Sequence, residues 1–149
     1  NEDIIKVASQ LKELKAPSIP INFLVPIAGT LIDKMTNLTP EKCLRILCLF
    51  RFINPKAELR VAAGRELHLR SMEAMAFYPA NSIFLDGYLN TTGENAAKVY
   101  QMIKDAGFNI KSTKDIDALI EKHKEEVTKS PITLKTKSEL RPSICQTFN

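Results

Sequence analysis

The sequence predicts an α/β fold in which parallel strands alternate with helices. Three observations predict it. Short runs at 18–26, 58–63 and 81–85 read as strands, the first by its β-branched content, and are flanked by proline, glycine and asparagine. The stretches between and around them carry apolar residues every three or four positions, the spacing of a helix with one buried face. Each connection is long enough for a helix to cross the sheet and return the next strand parallel to the last.

The 149 residues suffice for one domain with a real core, and 44% hydrophobic with 26% charged residues is ordinary for a globular protein. The net charge of +4 comes from basic side chains interleaved with acids. That is a solvated surface, with no stripe for nucleic acid. No apolar run reaches the ~20 residues of a membrane span, and no signal peptide is visible. Three sparse cysteines, Cys43, Cys48 and Cys145, argue for a reducing compartment, so a cytoplasmic location is expected. The chain starts at Asn1, inside a helical pattern, which suggests that a preceding part has been removed.

In order, Ile4, Ile5, Ala8, Leu11 and Leu14 mark one face of a helix over Glu2 to Lys15, ended by Ala16-Pro17. The strand over Ser18 to Pro26 sends Ile19, Ile21, Phe23 and Val25 to one side. Ser18, Pro20, Asn22 and Leu24 take the other. Ile27 to Leu38 reads as a loop. Thr39-Pro40-Glu41 starts a helix with a capping hydroxyl, a first-turn proline and an acid near the dipole. That helix runs through CLRILCLFRFI and ends before Pro55, is apolar on most sides, and is expected to be well buried. Cys43 and Cys48 lie about 140° apart on it, which suits core packing better than a shared metal.

The second strand, Glu58 to Ala63, exits through Gly64-Arg65-Glu66. A helix is expected over Leu67 to Phe77, a strand over Asn81 to Leu85, and a polar loop from Gly87 to Gly93. Glu94 to Ala106 reads as an amphipathic helix closed by Gly107. Thr113 to Lys129 is a further helix with Ile116, Leu119, Ile120, His123 and Val127 on its apolar side. The rest is an irregular tail. The order α-β-α-β-α-β-α is the C-terminal half of an eight-fold (β/α) barrel of TIM type, with about three parallel strands. Two units are expected, 1–110 as the half-barrel and 111–149 as a C-terminal helix and tail. A half-barrel leaves edges and one sheet face open, so the isolated chain is expected to self-associate.

No P-loop, G-x-G-x-x-G, nucleophile elbow or HExxH is present, and His68 and His123 form no visible catalytic pair. The informative polar residues are those at strand positions and strand ends: Ser18, Asn22, Arg60, Arg65, Ser82, Asp86, Thr91 and Thr92. Arg60 stands out because Leu59, Val61 and Ala63 occupy the opposite parity. A charged group facing a barrel lumen is costly unless something there needs it.

At PINFLVPIAGT, LTPEKCLRILCLFRFINP, ELRVAAGRE and YPANSIFLDGYLNTTG the chain resembles the C-terminal half of the biotin synthase family, including its biotin and thiamin synthesis-associated domain (roughly 24–115). The likeness runs from Asn1 to about Phe108. The resemblance implies radical S-adenosylmethionine chemistry that inserts sulfur into dethiobiotin, with a [4Fe-4S] cluster and an auxiliary [2Fe-2S] cluster. It places Arg60 as a ligand of the [2Fe-2S] cluster and Ser18 and Ser82 in that cluster's pocket. It places Asn22 at the ureido ring of dethiobiotin, Thr91 and Thr92 at its carboxylate, and Val25 near the adenine of S-adenosylmethionine. It also implies a homodimer, the N-terminal barrel half as partner, and an electron donor such as flavodoxin or ferredoxin.

The chain lacks the C-x-x-x-C-x-x-C loop that the radical cluster needs, and none of its three cysteines matches the family's auxiliary-cluster positions. No catalytic residue is therefore expected in this chain, and alone it is expected to be inactive. A related radical enzyme of thiazole or hydrogenase-cofactor synthesis, and a non-catalytic half-barrel module, remain as alternatives.

Overall fold

A computed structural model of the chain describes residues 2–27, 29–31, 38–85, 87–88, 91–92 and 95–124. Asp86, Cys145 and the expected tail lie outside them. Helix α1 (Glu2–Glu13) buries Ala8 and half-buries Ile4 and Leu11, while Ile5 and Leu14 from the same expected stripe stay exposed. Strand β1 (Ser18–Ile21) follows, shorter than the nine-residue run expected, because only these four residues pair with a neighbour.

Helix α2 (Pro40–Ile53) starts as its sequence dictates. Thr39 is extended and its hydroxyl accepts the Lys42 amide at 3.2 Å, with Pro40 in the first turn. Its buried stripe is Cys43, Leu47 and Phe50, the i, i+4, i+7 positions of one face. Burial on most sides does not hold. Cys48 and Phe52 are exposed, because the sheet and the other helices cover one side of α2 only. Cys43 is thus a core cysteine, its thiol pushed up by burial, and Cys48 is not.

Strand β2 (Glu58–Val61) lies between β1 and β3 (Ser82–Ile83), and all three run parallel in the order β1-β2-β3. This open sheet, with helices crossing between strands, is the architecture of a half-barrel. Ile19, Ile21, Phe23, Leu59 and Val61 are buried in a core shared with Cys43, Leu47 and Leu69. Beyond the ladder, Phe23 donates its amide to the Ala63 carbonyl at 2.8 Å. There Gly64 takes φ +77°, and a Cβ on it would stand 2.2 Å from the Phe23 carbonyl oxygen. Only glycine fits such an approach at that φ.

The expected helix Leu67 to Phe77 is instead two pieces, α3 (Arg65–Leu69) and a 3-10 helix (Arg70–Phe77). They break at Arg70, a non-glycine residue with φ 53°. The cause is visible inside. Arg65 is buried and pairs with Glu73, eight residues on, and with Glu66. In a continuous helix a spacing of eight is about 12 Å along the axis, too far to pair. The break brings Glu73 back to Arg65.

The expected loop after β3 contains a small antiparallel pair, β4 (Gly87–Tyr88) and β5 (Thr91–Thr92), with Gly87 opposite Thr92 and Tyr88 opposite Thr91. Helix α4 (Ala96–Asp105) is capped by Asn95, whose side chain accepts the Ala97 amide at 2.7 Å. It ends at Gly107, φ +79°, with Phe108 donating back to the Ile103 carbonyl. Helix α5 (Ile116–Lys124) packs on α4. Val99, Ile103, Ile116 and Ile120 form this second core, flanked by Phe77, Ile83, Leu85 and Phe108. Among the described residues no helix is long and apolar enough to cross a membrane.

Candidate functional site

Strand parity divides the sheet into two chemically different faces. The helix-covered face takes Ile19, Ile21, Leu59 and Val61. The opposite face takes Ser18, Glu58, Arg60 and Ser82. Register then sets their neighbours. Ser18 lies beside Glu58 across β1 and β2, and Arg60 lies beside Ser82 across β2 and β3. Glu58 and Arg60 are two residues apart on one strand, so they point the same way.

Arg60 is held at three points. Its Nε donates to Ser82 Oγ at 3.0 Å, its Nη2 pairs with Glu58 Oε1 at 2.5 Å, and its Cζ lies 5.3 Å from the centroid of the Phe84 ring. The arginine side chain is 33% exposed, so the guanidinium is reachable from the open face. Donation from Arg60, then from the Ser82 hydroxyl, holds the Glu58 carboxyl below its ordinary value, and Ser18 contributes in the same sense. Arg60, Glu58 and Ser82 are therefore one hydrogen-bonded group on β2 and β3, with Ser18 beside Glu58 in register on β1.

Asn22 stands just past the end of β1, on the same parity as Ser18. Its Oδ1 accepts the Ala63 amide at 3.2 Å, which ties it to the exit of β2. Val25, further along this exit, is half-buried. The loop between is anchored from below. His68 is buried, its Nε2 lies 2.7 Å from the Leu24 carbonyl oxygen, and its ring meets Phe23 edge-on. Thr91 and Thr92 form β5. Their side chains and Asp86 lie outside what is described.

Arg65 belongs elsewhere. It is enclosed between Glu66 and Glu73 beneath the strand ends, where it supports the fold. His123 likewise packs, with Nδ1 2.8 Å from the Leu119 carbonyl oxygen and its ring beside Tyr100. Among the described residues no group of three His, Cys, Asp or Glu side chains could hold a metal ion. The residue that sequence reasoning missed is Glu58. Its signal was available, since it shares parity with Arg60, but an acid opening a strand reads as a solvent-facing end.

Comparison with known proteins identifies the family of the chain. Residues 20–109 match the family described as Biotin and Thiamin Synthesis associated domain. Over 110 residues, 74% of the chain, it is 59% identical to a biotin synthase of Acaryochloris marina, covering 32% of that protein. A biotin synthase of Magnetococcus marinus is 52% identical over 114 residues, 76% of the chain and 36% of that protein. One from Staphylococcus aureus is 54% identical over 110 residues, 74% of the chain and 33% of that protein. The chain thus spans about a third of the length of these curated relatives. On a match that covers more than half of its residues, the chain belongs to the Biotin and Thiamin Synthesis associated domain family.

Proposed function

We propose that this chain works as the C-terminal part of a biotin synthase, a sulfurtransferase that converts dethiobiotin to biotin. The observation that carries the reading is Arg60, a half-exposed guanidinium on the open sheet face, set between Ser82, Glu58 and Phe84. In this reading Arg60 is one ligand of an auxiliary [2Fe-2S] cluster. The donor set fits that limited role. Arg60 Nη1 has no hydrogen-bond partner among the described residues, and Ser18 and Ser82 line the surroundings with hydroxyls. Cys43 is buried on the helix side and Cys48 is exposed on α2, so neither shares the face of Arg60. The remaining ligands, and the cysteines of the [4Fe-4S] cluster that acts on S-adenosylmethionine, belong to the upstream barrel half of the full-length protein. When bound, the auxiliary cluster supplies the sulfur.

The chain's own residues bind and orient. Asn22 offers its Nδ2–H group to the ureido oxygen of dethiobiotin while Oδ1 stays tied to the Ala63 amide. Thr91 and Thr92, in the segment beyond β3, bind the substrate carboxylate. Val25 gives apolar contact to the adenine of S-adenosylmethionine. The N-terminal barrel half closes the open face and excludes water, a homodimer forms, and flavodoxin or ferredoxin delivers electrons in the cytoplasm.

The test is product analysis with the full-length protein, S-adenosylmethionine, a reductant and dethiobiotin. Biotin is expected. Cleavage of S-adenosylmethionine without biotin would point to another radical enzyme, such as one of thiazole or hydrogenase-cofactor synthesis. In the same protein Arg60→Ala should keep the radical cluster and alter the visible spectrum of the auxiliary one. An unchanged spectrum would remove Arg60 from the ligand set.

A further inference from the structure

The guanidinium of Arg60 has three nitrogens, and two of them are already committed. Nε donates to Ser82 Oγ and Nη2 to Glu58 Oε1. The guanidinium carbon lies over the Phe84 ring, 5.3 Å from its centroid. Two hydrogen bonds and this contact leave the group little freedom to rotate. Nε has no further hydrogen and Nη2 holds one of its two in the bond to Glu58, which leaves Nη1 as the nitrogen with no partner among the described residues. The choice of the third nitrogen, Nη1, as the one presented to the open face is therefore made by the partners of the other two.

Of these partners Glu58 is the decisive one. Ser82 can rotate about its hydroxyl, and Phe84 contacts the plane without distinguishing its edges. Glu58 reaches Arg60 from two residues away along the same strand, at 2.5 Å, as a charged acceptor of fixed reach. Ser18 stands opposite Glu58 in register on β1, and Ser82 stands beside Arg60 on β3.

We infer that Glu58 is a positioning residue that selects Nη1 of Arg60 as the nitrogen offered on the open face of the sheet. This rests on the reading of Arg60 as a cluster ligand. It adds that the length of the side chain at position 58, more than its charge, sets the ligand geometry. Glutamine keeps an acceptor oxygen at the same reach. Aspartate keeps the charge but withdraws it by one methylene.

The experiment uses the full-length protein reconstituted with iron and sulfide, with Glu58→Gln, Glu58→Asp and Arg60→Ala compared by visible absorption and circular dichroism of the auxiliary cluster. Glu58→Gln should match the unaltered protein, and Glu58→Asp should shift the cluster bands in the direction that Arg60→Ala does. Far-ultraviolet circular dichroism of the iron-free proteins reads folding separately. A Glu58→Asp spectrum equal to the unaltered one, with Arg60→Ala shifted, overturns the inference and leaves Arg60 a ligand. A shift for Glu58→Gln but not for Glu58→Asp also overturns it, in favour of charge. An unshifted Arg60→Ala would remove the underlying reading itself, and this inference with it.

Discussion

Arg65 and Glu73 pair in the interior although eight residues separate them, because the chain breaks at Arg70 and folds Glu73 back over α3. Arg65 is 1% exposed and a second carboxylate partner, Glu66, is half-buried. A buried guanidinium between two carboxylates is satisfied, but either side left alone is not. Arg65→Ala should therefore destabilise the chain by about 3–5 kcal/mol, the usual cost of stranding a buried charge. Urea unfolding measures it, and a loss under 1 kcal/mol would mean that water reaches the carboxylates.

Gly64 should be as sensitive for a steric reason. Its φ of +77° and the 2.2 Å approach to the Phe23 carbonyl oxygen leave no space for a methyl group. Gly64→Ala is expected to cost roughly 2–4 kcal/mol, from backbone strain and a forced separation of the two strand exits. A thermal midpoint unchanged by the substitution would contradict this close approach.

Arg51 fastens the turn from α2 into β2. Its Nε donates to the Pro79 carbonyl at 2.7 Å, Nη1 to the Ala57 and Pro55 carbonyls at 2.9 and 3.1 Å, and Nη2 to Asn81 Oδ1 at 2.9 Å. That oxygen also accepts the Leu59 amide. Arg51→Ala should lower stability by about 2–4 kcal/mol, since several backbone carbonyls lose a charged donor. A lysine offers a point charge without the fork, so Arg51→Lys should restore less than half of that loss. Full recovery with lysine would show that charge alone suffices.

The contact between α4 and α5 should weaken at alkaline pH. Lys104 Nζ lies 2.5 Å from Asp117 Oδ1, and this bond, chiefly, raises the lysine above its ordinary 10.5. A raised folded value means that the contribution is complete below the unfolded value and fades as pH climbs through the folded one. Both side chains are solvent-exposed, so the effect is small and screened by salt. Comparing the thermal midpoints of the unaltered chain and Asp117→Asn, the difference should shrink as pH rises past the raised lysine value. A difference that persists there would place its origin elsewhere.

Much of the sheet was legible because parity is a strict rule. Period 2 correctly sent Ile19, Ile21 and Phe23 inward and set Ser18 and Arg60 on the other face. Caps were equally legible, since Thr39 and Gly107 act through their own local chemistry. The break at Arg70 was not. Residues 67–77 suit a continuous helix, and only the buried pairing of Arg65 with Glu73 overrules that preference. Cys48 and Phe52 were misplaced for a related reason. Apolar composition says that a helix has partners, but not how many sides they cover. Within the site, Arg60 announced itself by contrast with its neighbours. Glu58 did not, because its meaning comes from Ser18 and Ser82 on strands distant in sequence.

The same parity makes the sheet intolerant of small insertions. In the turn at 54–57 an extra residue leaves parity untouched but displaces the Pro55 and Ala57 carbonyls that Arg51 holds. One residue added inside Glu58–Val61 inverts the strand beyond it. If it falls after Leu59, Arg60 turns into the apolar core and Val61 out to the open face. The reading frame of a four-residue strand thus carries both the core and the arginine, and neither can drift without the other.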